Sequence, residues 1–315
     1  MLDDVTKSVV DTINTSLRNP SFFDLVGTPN YFASVIDVNG HYFASTTDGV
    51  GSKIDHIIKH NVSCDIIGID CFAMNINDLL CVGANPVAFQ NHITTQKVTT
   101  NIIPDIITGM INCCNDNFVI LSGGETEVLK ETKFHISGSM YGFIADGAES
   151  MIDGSKVTNG DIIIGLESNG LHANGWTALD EKTNFINEEI ILPTKIYASD
   201  IHPLLTRTRP SAIINITGGG FRNLERIPRS FVYDIKHEIT QQIFADIKTK
   251  FTHEEAYSMF NMGIGMMVIV KPNDVENALD SLKDAKIIGE VKRSEDVSND
   301  LIGKSCVIVN GVSLS

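Results

Sequence analysis

The stretch DIIGIDCFAMNINDLLCVGA, Asp65 to Ala84, decides how the first half of the chain is read. It reads as one long helix, with Gly83 suited to the C-terminal cap because glycine takes the left-handed conformation without a Cβ penalty. Ile69, Phe72, Met74, Ile76, Leu79 and Leu80 make it strongly apolar, yet it also carries Asp70, Asn75, Asn77 and Asp78. Asp70 and Asn77, seven positions apart, return almost to one angle, and Asp78 stands about 80° away. A solvated face usually carries Lys, Arg or Glu, and this helix has none. Carboxylates here are costly to bury unless a metal or a basic group compensates them, which makes the helix a candidate part of a site.

Just upstream, DGVGSK, Asp48 to Lys53, lies between the strand-like HYFASTT and the helix-like IDHIIKH. Gly49 and Gly51 allow a tight turn or close approach to a ligand. Asp48 could hold a divalent metal and Lys53 could meet a phosphate as a point charge. The spacing is not that of a Walker A loop, and an Asp-Gly pair alone is an ordinary turn signal.

Further along, residues 3 to 17 read as a helix, as does IPDIITGMINCCNDN, while FVILSGG and FHISGSMYGFIA read as strands. Polar, turn-forming residues cluster in MIDGSKVTNGD, residues 151 to 161, which places a domain boundary there and gives domains 1–150 and 151–315. The second half opens with the buried-strand candidate DIIIGLE and continues through SNGLHANG to a helix beginning near Trp176. SAIINITGGGF, GIGMMVIV, DVENALDSLKDA and AKIIGEV follow as strand, strand, helix and strand. Alternation of helix and strand makes this half α/β.

The composition, 43% hydrophobic and 20% charged, is that of a folded globular chain. A formal net charge of -15 without a dense Lys/Arg block argues against a nucleic-acid partner. No apolar run approaches the roughly 18 residues that span a bilayer. MLDDVTKSVV lacks the basic and apolar segments of a secretory signal. Cys64, Cys71, Cys81, Cys113, Cys114 and Cys306 show no metal-ligand spacing and read as free thiols, so a cytoplasmic protein without membrane contact is expected.

Three further stretches could carry chemistry. SGGETE puts Glu125 at a second strand end; if that strand lay near the first, Asp48, Asp70, Asp78 and Glu125 would form an oxygen-rich set suited to Mg²⁺. SNGLHANG, Ser168 to Gly175, combines His172, able to shuttle a proton near neutral pH, with Asn169 and Asn174, able to hydrogen-bond a ligand. ITGGGF, Ile216 to Phe221, could cradle a phosphate, although its glycines could equally be a flexible turn. The other histidines show no metal spacing and read as structural or surface residues.

DGVGSK, GIDCFAMNINDLL, SGGETE, GLESNGLHANGW, LPTKIY, ITGGGF and FNMGIGM occur in the order and approximate spacing of the phosphoribosylformylglycinamidine cyclo-ligase (aminoimidazole ribonucleotide synthetase) family, which the chain resembles from about Phe43 to Val291. The resemblance implies a two-domain α+β / α/β fold. Its N-terminal mixed-sheet domain would bind ATP and metal and pair across a homodimer, and its C-terminal domain would be α/β. It implies an enzyme of purine biosynthesis that uses ATP and Mg²⁺, with K⁺ a further candidate, to close the imidazole ring of a phosphoribosyl substrate through an iminophosphate. Carried onto this chain, Asp48, Asp70, Asp78 and Glu125 would be metal ligands. Asp48, Gly49, Gly51, Lys53, Asn75, Asn77, Gly218, Gly219 and Gly220 would hold the nucleotide. Thr126, Asn169, His172 and Asn174 would meet substrate, with Lys53, Glu125, His172 and Asn174 at the reacting centre.

The chain departs from the family pattern in offering LVGTPNYFAS where a second glycine-rich stretch is usual, Asn215 where histidine is usual, and Ser52 for threonine. Asparagine cannot become a cation. The rivals are a sister ATP-using phosphotransferase, such as a thiamine-phosphate kinase or selenophosphate synthetase, and a non-catalytic nucleotide-binding scaffold.

Overall fold

A computed structural model describes residues 8–9, 24–96, 102–184, 186–297 and 303–314. Apart from Ser8 and Val9, which are helical, the helix expected over residues 3 to 17 lies outside these.

The first sheet has six strands: β1 (Asp24–Val26), β2 (Ser34–Val38), β3 (His41–Gly49), β4 (Asn85–Thr95), β5 (Ile120–Val128) and β6 (His135–Ile144), in the order β1-β2-β3-β6-β4-β5. Only β4 and β5 run parallel, because the helix between them returns the chain to the same end of the sheet. Strand β6 alternates buried and less buried residues along its length, so one face of the sheet is covered and the other open. The covered face packs against helices α2 (Asp65–Cys81) and α3 (Ile102–Asp116), and the short helix α1 (Lys53–Lys59) packs on α2. Helices α2 and α3 touch backbone to backbone: a Cβ on Gly68 would stand 2.0 Å from the carbonyl oxygen of Ile106, and one on Gly109 2.3 Å from that of Asp65.

The second sheet has seven strands: β7 (Ile162–Glu167), β8 (Ala212–Asn215), β9 (Phe231–Ile235), β10 (Ile264–Val270), β11 (Ala285–Arg293), β12 (Cys306–Val309) and β13 (Val312–Leu314). Their order is β13-β12-β9-β11-β7-β10-β8. Helices α4 (Trp176–Lys182), α5 (Ala198–Arg207), α6 (Gln242–Lys248), α7 (His253–Met259) and α8 (Val275–Ser281) alternate with these strands. The sheet is mixed, with β9 and β12 its parallel pair. The run IGMMVIV of β10 is buried at every position, as expected for a central strand covered on both faces.

Helix α2 packs against β3 and β6 of the first sheet and against β8 of the second. It therefore has no solvated face: every residue from Asp70 to Cys81 is buried. Tyr31 makes a second tie between the halves, its hydroxyl donating to the Ile213 carbonyl at 2.8 Å and accepting from the Ile213 N–H at 3.2 Å. All six cysteines are free, and no described helix is long and apolar enough to cross a membrane.

Candidate functional site

Asp48 ends the covered face of β3. Asn75, buried on α2, grips its backbone from both sides, accepting from the Asp48 N–H at 3.2 Å and donating to the Asp48 carbonyl at 3.3 Å. The Asp48 carboxylate accepts the Gly49 N–H at 2.7 Å and makes no ion pair among the described residues. Burial raises its pKa, opposed by that N–H and by the Arg226 guanidinium. Asp78, on a neighbouring angle of α2, accepts from the Asn215 side chain at 2.8 Å. Burial pushes its carboxyl up to about 7, with Asn215 opposing and the charge of Asp48 adding to the rise. Two carboxylates thus lie near each other with an amide, an arginine and no direct counter-ion.

Two second-half loops close over this corner. The Asn174 amide lies 3.8 Å from the Met74 sulfur, and a Cβ on Gly218 would be 3.5 Å from the Asn174 Oδ1. Ser52, in DGVGSK, meets Thr177 hydroxyl to hydroxyl at 2.8 Å. The glycine turn is shaped by packing: Gly220 has φ +54°, and a Cβ there would fall 2.2 Å from the Tyr257 carbonyl. Gly218 remains exposed at its tip.

The other face of α2 receives LPTKIY as a strap. Asp70 Oδ1 accepts the Thr194 N–H at 2.6 Å, Asn77 donates to the Lys195 carbonyl at 2.9 Å and accepts the Tyr197 N–H at 3.1 Å. Lys53 Nζ donates to the Leu192 carbonyl and sits 2.7 Å from Asp70 Oδ2, both side chains wholly buried. Burial pulls the Lys53 ammonium below its ordinary pKa, opposed by Asp70. The shared angle of Asp70 and Asn77 is real, and its use is to match the polar groups of an extended backbone. Lys53, Asp70, Asn75 and Asn77, expected to meet phosphate, metal and nucleotide, are thus all buried and bonded within the protein in this arrangement.

The structure does not bring Glu125 to Asp48. Asp48 aligns with Gly138, Asn91 and Gly124 across β3, β6, β4 and β5, whereas Glu125 aligns with His92, Ser137 and Gly49 in the next row. It therefore lies on the open face, opposite Asp48, and three strand spacings away, roughly 14 Å. Its carboxylate accepts the N–H of Thr126, and both residues are exposed. Among the described residues, no three His, Cys, Asp or Glu side chains converge as a metal-holding group.

His172 is buried, with φ +61°. Its Nε2 has no hydrogen-bond partner among the described residues. Burial, with Lys53 and Lys195 adding to it, pushes its pKa down to about 3, so the ring is neutral near pH 7 in this arrangement. Gly265 makes room for it: a Cβ there would lie 2.0 Å from the Tyr197 hydroxyl and 2.5 Å from the His172 ring. Asn169 donates to the Pro193 carbonyl at 2.8 Å and so holds the strap. Arg226 was not singled out by sequence. It stands in no glycine motif, and the only available signal was its nearness to ITGGGF.

Two family models match the chain: AIR synthase related protein, N-terminal domain, over residues 32–144, and AIR synthase related protein, C-terminal domain, over 158–300. A phosphoribosylformylglycinamidine cyclo-ligase of Methanobrevibacter smithii is 32% identical, covering 94% of this chain and 94% of the relative. One of Clostridium novyi is 35% identical over 79% of this chain and 80% of the relative. Among solved structures, the hydrogenase maturation protein HypE in complex with ATP superposes with a TM-score of 0.69 at 18% identity, covering 89% of this chain and 86% of that one, a likeness of fold.

Proposed function

This chain belongs to the AIR synthase related family and, within it, to the phosphoribosylformylglycinamidine cyclo-ligases, and from that premise we propose how its site works. The reaction is the ATP-dependent closure of formylglycinamidine ribonucleotide to aminoimidazole ribonucleotide, with release of ADP and phosphate. The formyl oxygen takes the γ-phosphoryl group of ATP, which turns a poor leaving oxygen into a good one. The ribosylamine nitrogen then attacks the formyl carbon and the C–O bond to phosphate breaks.

The observation that carries this reading is the meeting of DGVGSK, α2, SNGLHANG and ITGGGF around Asp48 and Asp78, seen in the Ser52–Thr177, Asn174–Met74 and Asn215–Asp78 contacts. Such a corner holds two reactants in register, the main service an enzyme gives a cyclisation.

Asp48 fits Mg²⁺: it is a half-buried carboxylate with no ion-pair partner among the described residues, and Mg²⁺ is commonly held by one or two carboxylates plus substrate phosphates rather than by an all-protein cage. When bound, the metal supplies positive charge to the transferring phosphoryl group. Gly218 and Gly219 offer backbone N–H groups to phosphate, and Asn174 orients the substrate amidine. Asp78 can take a proton near neutral pH, while Asn75 and Asn215 position the two acids.

We also place the protein in the cytoplasm, in keeping with its six free thiols, as a homodimer formed through the open face of the first sheet. Ile36, Phe43 and Phe143 form one row across three strands there, each at least 40% exposed, with Tyr141 and Ile120 beyond them. Apolar rows of this kind mark an interface.

The test is purified protein with formylglycinamidine ribonucleotide, ATP and Mg²⁺, measuring aminoimidazole ribonucleotide and ADP together. Equimolar products that vanish without substrate are expected. ADP formed only with another phosphate acceptor would move the chain to the sister kinases.

A further inference from the structure

We propose that the concavity between the Thr28–Asn30 turn and the Arg222–Ser230 segment is a subsite for a phosphate monoester, held by Arg226 and Arg229. The inference rests on the ring-closure reading and says where that site takes the phosphate end of a ligand.

The chain carries a net charge of -15 and has seven arginines, yet three of them line this one hollow of about 550 Å³. Arg222 gives its Nε and one terminal nitrogen to Glu225 Oε2, at 3.3 and 3.2 Å, so that pair cancels. Arg226 stacks its guanidinium over the Phe32 ring at 4.6 Å and donates to the Tyr31 carbonyl at 3.2 Å. Tyr31 is itself locked to β8. The fork of Arg226 is thereby fixed in direction, and neither Arg226 nor Arg229 has a carboxylate within ion-pair distance among the described residues.

A planar, oriented guanidinium with unused donors matches a phosphate oxygen pair, which a mobile ammonium does not. Location supports the same reading. Arg226, which lines the hollow, also opposes the rise of the Asp48 and Asp78 carboxyls with its charge, and so links the hollow to the corner proposed for chemistry. On an otherwise acidic protein it is also a place where a dianion is drawn rather than repelled.

Two ligands carry such a group, the ribose 5-phosphate end of the substrate and the phosphate tail of ATP. The experiment is calorimetric titration of the full chain with ribose 5-phosphate and, separately, with ATP and Mg²⁺, for wild type, Arg229→Glu and Arg226→Lys. Arg229 is exposed and its side chain makes no hydrogen bond or ion pair among the described residues that its replacement would break, which keeps folding out of the comparison. We expect one ligand to bind wild type saturably and to lose about tenfold or more in both variants, the loss of a charge-assisted contact. If that ligand is ribose 5-phosphate, the subsite holds the substrate; if ATP, the nucleotide tail.

Unchanged affinities in both variants, or no saturable binding of either ligand to wild type, overturn the proposal. Equal losses for both ligands in Arg229→Glu with none in Arg226→Lys are a long-range charge effect and overturn it too. No readout needs turnover. A chain that binds ribose 5-phosphate through these arginines but makes no aminoimidazole product keeps the subsite and loses the ring-closure reading, whereas turnover with unchanged affinities loses only the subsite.

Discussion

Replacing Asp70 by alanine tests whether α2 owes its carboxylate to the strap or to a metal. In the folded chain Lys53 Nζ lies 2.7 Å from Asp70 Oδ2, with both side chains at 0% exposure. Removing the acid leaves an ammonium sealed in the protein with the Leu192 carbonyl and, at 5.7 Å, the Trp176 ring as its partners among the described residues, and breaking a buried pair in this way costs about 3–5 kcal/mol. The Thr194 N–H loses its acceptor as well, adding roughly 1–3 kcal/mol if water does not reach it. At about 2–4 °C per kcal/mol for a unit of this size, the melting temperature falls by 6 °C or more. Asp70→Asn retains the acceptor for Thr194 and shows the charge part alone. The double variant Lys53→Met/Asp70→Leu recovers most of the loss, because an apolar pair of similar volume often does as well as a buried ion pair. The assay is urea unfolding of wild type, the singles and the double, with Mg²⁺ absent throughout. A loss under about 1 kcal/mol for Asp70→Ala, or a double variant as unstable as the summed singles, would refute the clasp and return Asp70 to the list of candidate metal ligands.

Acid sensitivity isolates His172. Its pKa of about 3 lies below the ordinary 6.5, so at intermediate pH the unfolded chain binds a proton that the native one refuses. Its contribution is complete above about pH 6.5 and is lost as pH falls, by about 2 kcal/mol at pH 5. His172→Asn, which tolerates the left-handed backbone, should flatten that part of the decline in denaturant midpoints between pH 7.5 and 5; an equal decline in both proteins would count against a neutral buried ring. Asp48→Asn should lower kcat/KM by about 100-fold or more while leaving thermal stability unchanged or higher, since a carboxylate raised by burial is relieved when neutralised; full activity would remove it from the proposed cation site. Phe143→Glu, placed in the middle of the exposed apolar row, should shift sedimentation toward monomer, and an unaltered mass would put the dimer contact elsewhere.

Much of this molecule was legible in advance because its signals are local. The apolar run of Asp65–Cys81 and the strand-like FHISGSMYGFIA each report on neighbouring residues, and a helix and a strand stand there, whereas the strand that begins in FVILSGG runs on through its glycines to Val128, so that Glu125 lies inside it and not at its end. The site was legible only in part. Asp48, Asp78, Asn174 and Gly218 do share a corner, but the sequence offered no way to tell a carboxylate kept for a metal from one kept for a lysine. Asp70 and Asp78 sit eight positions apart on one helix. One ends against Lys53 and the strap, the other against Asn215, because α2 lies between two sheets and presents a different neighbour at each angle.

By itself, then, the sequence determined the element types, their order and the family, all of which depend on spacing along the chain. Only the tertiary structure decided which charges are spent and which remain. A hydrogen bond or ion pair exists only at contact distance, and Thr194, which gives its N–H to Asp70, and the partners named for Asn77, Tyr31 and Arg226 come from the other half of the protein, more than a hundred residues away.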